Sequence, residues 1–335
     1  MIPFYFQLHI TNQCGMNCKH CYINEKDRNT TMSLAKCLRV IDQMVNFCKE
    51  LKRRPFLVIT GGDPTNHSEF PAIMEKVSQE KIEFSILGNP TNINVITAAW
   101  LKHLGCRQYQ LSLDGLEATH NSIRCPDSFQ KTLEAIKILR SADIKVAIMS
   151  TVSAVNYREI LPLMNFLLNE TRINQYSFAR YCPSDHDDAA KHNVDAQEYR
   201  SLLDSVWQVL KGNEKWKQRF FFKDHLWKLF FYEQGLLQIK TDEKTIVSGC
   251  NCGFNHLTIL PDGDVQACRR FESRIGNAHK SNLTNLFLFK AKKYRAIDDL
   301  EKCGKCELLH YCRGCLAVAH GTYGDFRKPD PYCWK

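Results

Sequence analysis

Several features that often decide where a protein works are missing from this chain of 335 residues. The opening segment MIPFYFQLHI lacks the basic head, apolar run and small-residue cleavage site of a signal peptide. No apolar stretch approaches the length of about 18 residues that spans a bilayer, so we expect no membrane partner. The net charge is +9, but lysine and arginine are scattered, and nothing supports a nucleic-acid partner. These absences predict a cytoplasmic protein.

Cysteine, by contrast, is abundant. The chain contains 16 cysteines in an otherwise ordinary composition that is 44% hydrophobic and 24% charged. Disulfides are rare in a reducing compartment. The cysteine count therefore indicates metal binding or catalysis.

The first 210 residues alternate regularly between short apolar runs and amphipathic segments. Six strand–helix units follow one another, and their strands read FYFQLHI, FLVIT, FSILG, YQLSL, KVAIMST and QYSFA. Such alternation predicts an α/β fold whose parallel sheet curls into a partial (β/α)6 barrel, with working residues where strands end. We expect a barrel over residues 1–210, a helical aromatic bridge over 211–240 and a small cysteine-rich domain over 241–335.

Three cysteines follow the first strand. Cys14, Cys18 and Cys21 have the spacing C-x3-C-x2-C, whereas a disulfide uses two cysteines and a closed zinc site four ligands. A loop of this spacing can place three thiolates around a [4Fe–4S] cluster and leave one iron open. Zinc with His20 as fourth ligand is the alternative, but His20 adjoins Cys21 and is poorly placed to complete a tetrahedron.

A cysteine loop of this kind after the first strand of a barrel resembles the radical S-adenosylmethionine (SAM) enzymes. The resemblance implies that the amino and carboxylate groups of SAM chelate the open iron. Cleavage of SAM then yields a 5′-deoxyadenosyl radical that abstracts hydrogen from the substrate. The residues that the resemblance assigns to the cluster environment and to SAM are His20, Tyr22, Gly61, Gly62, Asp63, Ser112, Asp114, Arg124, Ser153 and Asn156. Asp63 stands where the family usually has glutamate.

The remaining clustered cysteines resemble the SPASM domain, an extension of radical SAM enzymes that carries two auxiliary [4Fe–4S] clusters. The resemblance gives one cluster Cys252, Cys268 and Cys315, with Cys250 favoured as the fourth ligand. It gives the other cluster Cys303, Cys306, Cys312 and Cys333. Two residues separate Cys312 from Cys315, where three are typical. A free Cys250 and two structural zinc sites are the alternatives. The implied cofactors are three [4Fe–4S] clusters and SAM.

SPASM enzymes mostly act on peptides or proteins. Our first hypothesis is a peptide maturase that forms a C–C or thioether crosslink in a ribosomally made precursor by two-electron oxidation, with flavodoxin or ferredoxin as reductant. One alternative is a peptide epimerase with Cys182 as hydrogen donor, and Arg180 is a second candidate catalytic residue. A sulfatase-maturase-like activity fits less well, because Arg269 follows Cys268 where those enzymes have aspartate. A metal-binding or electron-carrier protein without SAM chemistry is the alternative from another class.

The first predicted strand starts at residue 4. We therefore expect no leader-binding domain before the barrel. Leader recognition would then fall to a separate protein or to the barrel and the aromatic bridge.

Overall fold

The computed structural model describes residues 1–183, 192–240 and 242–335. In these residues nine strands form one sheet in the order β6-β5-β4-β3-β2-β1-β7-β8-β9. The strands are β1 Pro3–Thr11, β2 Arg54–Gly61, β3 Glu83–Leu87, β4 Gln108–Ser112, β5 Lys145–Val152, β6 Gln175–Arg180, β7 His256–Ile259, β8 Asp264–Gln266 and β9 Arg274–Asn277. The first six strands pair in parallel, which confirms the predicted radical SAM type of fold.

Helices connect the first six strands, and further helices follow β6 in the aromatic bridge and in the cysteine-rich region. They are α1 Leu34–Glu50, α2 Phe70–Gln79, α3 Val95–His103, α4 Glu117–Ile123, α5 Ser128–Ser141, α6 Ile160–Glu170, α7 Ala196–Lys211, α8 Glu214–Arg219, α9 Leu226–Glu233 and α10 Leu316–Tyr323. The sequence did not predict α4, because it is short and buries just His120 and Ile123. No helix in the described ranges is long and apolar enough to cross a membrane.

The two faces of the sheet differ in polarity. In β1, Phe6 and Leu8 pack into the outer hydrophobic core, while Gln7 lines a cavity inside the barrel. This alternation follows from the two-residue period of a strand. Gln7 lies beside Val58 of β2 and Thr258 of β7. The barrel therefore has an apolar outer layer and a polar interior.

The cysteine-rich region adds strands to the sheet. β7 pairs in parallel with β1, and β8 and β9 continue from it in antiparallel pairs. At the opposite edge, Phe220 bridges in parallel to Tyr176 of β6, and the N–H of Phe221 donates to the carbonyl of Tyr176 at 2.8 Å. Residues beyond the six predicted strands thus extend both edges of the barrel sheet.

The aromatic segment after α7 packs on itself. The ring of Trp227 lies 5.0 Å from the ring of Phe222 and 5.5 Å from that of Phe231, centroid to centroid. Trp207 of α7 also contacts Phe231, at 5.1 Å. Aromatic pairs at such separations contribute beyond the apolar area they bury. The cluster fixes the chain that leads from the barrel to the cysteine-rich region.

Candidate active site

A cavity of about 240 Å³ lies where the parallel strands end. Its wall contains all three cysteines of the first loop, Cys14, Cys18 and Cys21. Hydrogen bonds join the residues before the loop to those after it. The Oγ1 atoms of Thr11 and Thr31 lie 2.8 Å apart, and backbone hydrogen bonds connect their neighbours. Strand β1 therefore delivers three thiols to a single open space.

Most of the residues that the sequence assigned to SAM or to catalysis also line this cavity. They are His20, Tyr22, Gly61, Gly62, Ser112, Arg124, Arg180 and Cys182. They come from β2, β4, β6 and the segments that follow the strands. The structure thus brings together residues that are up to 168 positions apart, taken from Cys14 to Cys182.

Two glycines allow the segment after β2 to touch the cysteine loop. A Cβ atom on Gly61 would lie 1.9 Å from the carbonyl oxygen of Thr11, and one on Gly62 would lie 2.4 Å from that of Asn12. Gly61 also has a φ of +147°, which disfavours other residues. The N–H of Gly62 donates to the Thr11 carbonyl at 2.8 Å. The glycine pair therefore lets the segment after β2 pack directly against the backbone of the cysteine loop, and both glycines line the cavity.

Arg124 points at the cysteine loop. Its Nε donates to Oδ2 of Asp114 at 2.6 Å, while Nη1 lies 3.8 Å from Sγ of Cys18 and Nη2 lies 3.4 Å from Nε2 of His20. Burial would raise the pKa of Asp114, but Arg124 and His20 hold it below its ordinary value. Asp114 is therefore an anion that orients Arg124 toward Cys18.

Four of the predicted SAM contacts do not face the cavity. Asp63 is fully buried, and its Oδ1 accepts from the N–H of Thr65 at 3.0 Å, while Oδ2 has no partner in the described part of the chain. Asp114 accepts a hydrogen bond from Arg124 and does not line the cavity itself. The amide of Asn156 donates to the carbonyl of Asp114 at 2.6 Å, and its Oδ1 accepts from the N–H of Ser153 at 2.8 Å. Apart from Oδ2 of Asp63, the polar atoms named here position neighbouring backbone and side chains, so the four residues support the wall.

The sequence did not single out Asn89, which lines the cavity. Its Nδ2 donates to Sγ of Cys14 at 3.5 Å, and its Oδ1 accepts from the N–H of Thr91 at 2.9 Å. Asn89 follows the end of β3 in the segment GNP. That position was the available signal, because cavity residues gather where parallel strands end.

Cys250, Cys252, Cys268 and Cys315 form one group. Burial raises the pKa of Cys250 to about 12, and the neighbouring thiols of Cys315 and Cys268 add to the effect. Nη1 of Arg270 lies 3.7 Å from Sγ of Cys315. The Cys182 thiol lies close enough to Cys315 to interact with it, so the predicted hydrogen donor adjoins this group.

Cys303, Cys306, Cys312 and Cys333 form a second group. Burial raises the pKa of Cys303 to about 12, with further contributions from Cys333, Asp330 and Cys306. Backbone N–H groups point at two of the sulfurs: that of Leu308 lies 3.5 Å from Cys306, and that of Gly314 lies 3.4 Å from Cys312. Such donors favour the thiolate form, which binds metal.

The donor sets are of the kind that iron–sulfur clusters use. Groups of three or four cysteine thiols are the ligand sets of four-iron clusters. In the ranges described, no three His, Cys, Asp or Glu side chains are placed to hold one metal ion.

Arg180, predicted to reach SAM or substrate, is also an anchor. Its side chain is 1% exposed. Nε donates to Oδ2 of Asp224 at 2.9 Å and Nη1 to Oδ1 of Asp330 at 2.6 Å. Oδ2 of Asp330 in turn accepts from the N–H of Cys315 at 2.8 Å. Arg180 thus joins the end of β6 to the aromatic bridge and to the first cysteine group.

Comparison with known families agrees with this geometry. The model of the radical SAM superfamily matches residues 8–167, and that of the SPASM iron–sulfur cluster-binding domain matches residues 250–316. The chain carries a radical SAM domain followed by a SPASM domain. As a radical SAM enzyme with a SPASM domain it uses SAM, which it cleaves, and iron–sulfur clusters.

Relatives of this radical SAM enzyme include proteins with different substrates. An AdoMet-dependent heme synthase of Methanosarcina barkeri is 25% identical over 337 residues, which are 97% of this chain and 94% of the relative. The mycofactocin maturase MftC of Mycobacterium ulcerans is 26% identical over 348 residues, which are 99% of this chain and 88% of the relative.

Solved structures show the same fold. SuiB of Streptococcus suis bound to S-adenosylmethionine superposes with a TM-score of 0.74 at 20% identity, over all of this chain and 78% of SuiB. The protein anSMEcpe with bound AdoMet gives a TM-score of 0.76 at 17% identity, over 99% of this chain and 90% of that protein. At these identities the likeness concerns the fold.

Proposed function

We propose that this enzyme oxidises a peptide by two electrons and installs a C–C or thioether crosslink. The supporting observation is that one cavity has two chemically different walls. Cys14, Cys18 and Cys21 line one side, while Cys182 and Arg270, which contact Cys315, line the same cavity. A substrate in this cavity touches both the SAM side and the auxiliary-cysteine side.

The chain's residues divide the work between these walls. Cys14, Cys18 and Cys21 would hold the SAM-binding cluster, and the backbone at Gly61 and Gly62 leaves room beside it. When bound, the cofactors supply a hydrogen-abstracting radical on one wall and an electron acceptor near the other. For a crosslink the substrate loses one hydrogen atom, then one proton and one electron, and joins two of its atoms. The product lacks two hydrogens.

The proposal includes three [4Fe–4S] clusters, or roughly twelve irons per chain. The ligands would be the first cysteine loop and the two groups of four cysteines described above. Flavodoxin or ferredoxin would supply electrons in the cytoplasm. The substrate would be a ribosomally made precursor peptide, and a separate protein or the barrel itself would recognise its leader. SuiB has been crystallised with its precursor peptide SuiA, and anSMEcpe with peptides.

A second candidate substrate is an iron porphyrin, as the names of the heme synthase relatives suggest. The observation that favours it is the charge of the cavity. Lys223, Arg269 and Arg270 line the wall, and no aspartate or glutamate is found among the described lining residues. A cationic wall suits a substrate that carries carboxylates, as porphyrins do.

Anaerobic reconstitution with iron and sulfide, followed by reduction with SAM, tests the proposal. The probes are short peptides encoded beside the gene, and iron-coproporphyrin III. We expect 5′-deoxyadenosine and a peptide that has lost two hydrogens. A peptide of unchanged composition that gains one deuterium in D2O would overturn the crosslink in favour of an epimerase. Loss of carbon dioxide from the porphyrin would establish the second candidate. Absence of SAM cleavage in every assay would contradict both.

A further inference from the structure

A second cavity, of about 490 Å³, lies within the barrel. Polar inward-facing side chains line it, among them Gln7 of β1 and Ser85 of β3. Lys223 and Arg269 line this inner cavity and also the cavity that contains the first cysteine loop. We call these two residues the cation pair. They lie between the cavity of the cysteine loop and the barrel interior.

Two different segments bring the cation pair together. Lys223 lies two residues after Phe221, whose N–H donates to the carbonyl of Tyr176 in β6. Arg269 follows Cys268, and its guanidinium carbon lies 5.0 Å from the centre of the Tyr22 ring. The cation pair is thus built from the bridge and the cysteine-rich region and lies next to the cysteine loop.

The cation pair has no carboxylate partner in the described residues. No acidic side chain among them lines the cavity of the cysteine loop. Glu83 is the acidic residue that lines the inner cavity, and it pairs with Arg54 and Arg107. Of the four other arginines that line the cavity of the cysteine loop, three are already engaged, and the fourth is Arg28.

Those engaged cations have clear partners. Arg124 pairs with Asp114, and Arg180 with Asp224 and Asp330. Arg270 donates to the carbonyl of Arg180 and contacts Cys315. These arginines hold the structure together, whereas the ammonium of Lys223 makes no hydrogen bond or ion pair with the described chain.

The charge on the cation pair is uncompensated. Desolvation, followed by the charges of Arg269 and Arg270, lowers the pKa of Lys223 to about 8. Desolvation, followed by the charges of Arg269 and Lys223, lowers the pKa of His256 of β7 to about 4. Two cations that line the same cavity and repel each other are stabilised by an anion bound between them.

We propose that Lys223 and Arg269 are the subsite that binds a carboxylate of the substrate. The carboxylate is a side-chain or terminal carboxylate of a peptide, or a propionate of a porphyrin. Bound there, it would anchor the substrate next to the cysteine loop, so that the bond to be broken faces the SAM side. This inference rests on the proposed function, because it concerns the substrate of the same reaction.

The test compares Lys223→Gln and Arg269→Gln with the wild-type holoenzyme. Lys223→Arg keeps the charge, and Lys215→Gln removes a lysine from the exposed side of α8 as a matched control. The probes are iron-coproporphyrin III and the neighbouring-gene peptide in its acidic form and with its carboxylates converted to amides. Affinity is measured by titration, beside iron content and 5′-deoxyadenosine formed without substrate.

Each glutamine variant should weaken binding of a carboxylate probe by about 10- to 100-fold, the range for a lost hydrogen bond to a charged group. Binding of the amide peptide should not change, and Lys223→Arg should retain most of the affinity. The control variant Lys215→Gln should leave binding, iron content and substrate-free SAM cleavage unchanged. The probe that responds identifies the source of the carboxylate.

Equal weakening for acid and amide forms, unchanged affinity, or no binding of either carboxylate probe to the wild type would overturn the subsite. Failure of SAM cleavage in the wild type would instead overturn the proposed function. The two failures are therefore distinguishable.

Discussion

The two cysteine-rich regions of this radical SAM enzyme differ in exposure. Cys14 and Cys21 of the first loop are exposed at the cavity, whereas Cys250, Cys252 and Cys315 of the C-terminal region are buried. The first loop offers three thiols, and the later region offers two groups of four. The chemistry of metal sites makes the same distinction: a site that binds a reactant keeps a coordination position open, and a structural site is closed. By this criterion the exposed loop is the candidate for the reacting site, and the group that contains Cys250, Cys252 and Cys315 is the most enclosed.

The largest effect should come from the exposed loop. Changing Cys14, Cys18 and Cys21 together to alanine should reduce 5′-deoxyadenosine to background and leave about eight irons per chain in two four-iron clusters. The melting temperature of the apoprotein should change little, because the loop is at the surface of the cavity. Iron analysis, product chromatography and thermal melting check this. Retained SAM cleavage would show that the loop is not the SAM site, and loss of all the iron would show that the later cysteine groups do not bind clusters independently of the loop.

A smaller effect, on stability, is expected where the two regions meet. Arg180→Met leaves Asp224 and Asp330 buried without their partner, and breaking a buried pair in this way costs about 3–5 kcal/mol. Urea unfolding of the apoprotein measures the loss. Arg200→Met, which removes a partly exposed pair with Glu233, is the control and should cost no more than about 1 kcal/mol. Similar losses in both variants would show that Arg180 is no anchor.

The smallest effect should come from a hydrogen bond to the open site. Asn89→Ala removes the amide that donates to Cys14. Because hydrogen bonds to cluster sulfurs help to set the reduction potential, the potential should become more negative and SAM cleavage should slow by about tenfold. A redox titration followed by electron paramagnetic resonance detects the shift. Asn92→Ala is the matched control, since Asn92 donates to Thr65 and Asn66 and not to a thiol. An unchanged potential in Asn89→Ala would contradict the role of the amide.

Much of the fold followed from local patterns. The alternation of strand and helix periods predicted six parallel units, and β1 to β6 pair in parallel. The sequence also identified Gly61 and Gly62, which line the cavity and pack against the backbone of the cysteine loop without room for a side chain. These features depend on a few neighbouring residues.

The rest depends on long-range contacts, which periodicity does not encode. Asp63 and Asn156 carry suitable polar groups, but the structure turns those groups into the wall to position the backbone. The partners of Arg180 are 44 and 150 residues away. In the sequence Lys223 is one lysine in an aromatic stretch, and the pairing of that segment with β6 places it at the cavity.

The 150-residue separation between Arg180 and Asp330 also bears on synthesis of the enzyme. A ribosome produces the barrel strands well before Asp330, which reaches both Arg180 and the N–H of Cys315. Until then, Arg180 lacks one of its two carboxylates and the first group of buried cysteines lacks a backbone anchor. We therefore expect the far wall of the cavity to form late. A nascent chain would present its first cysteine loop before it has a closed chamber in which a radical is sheltered.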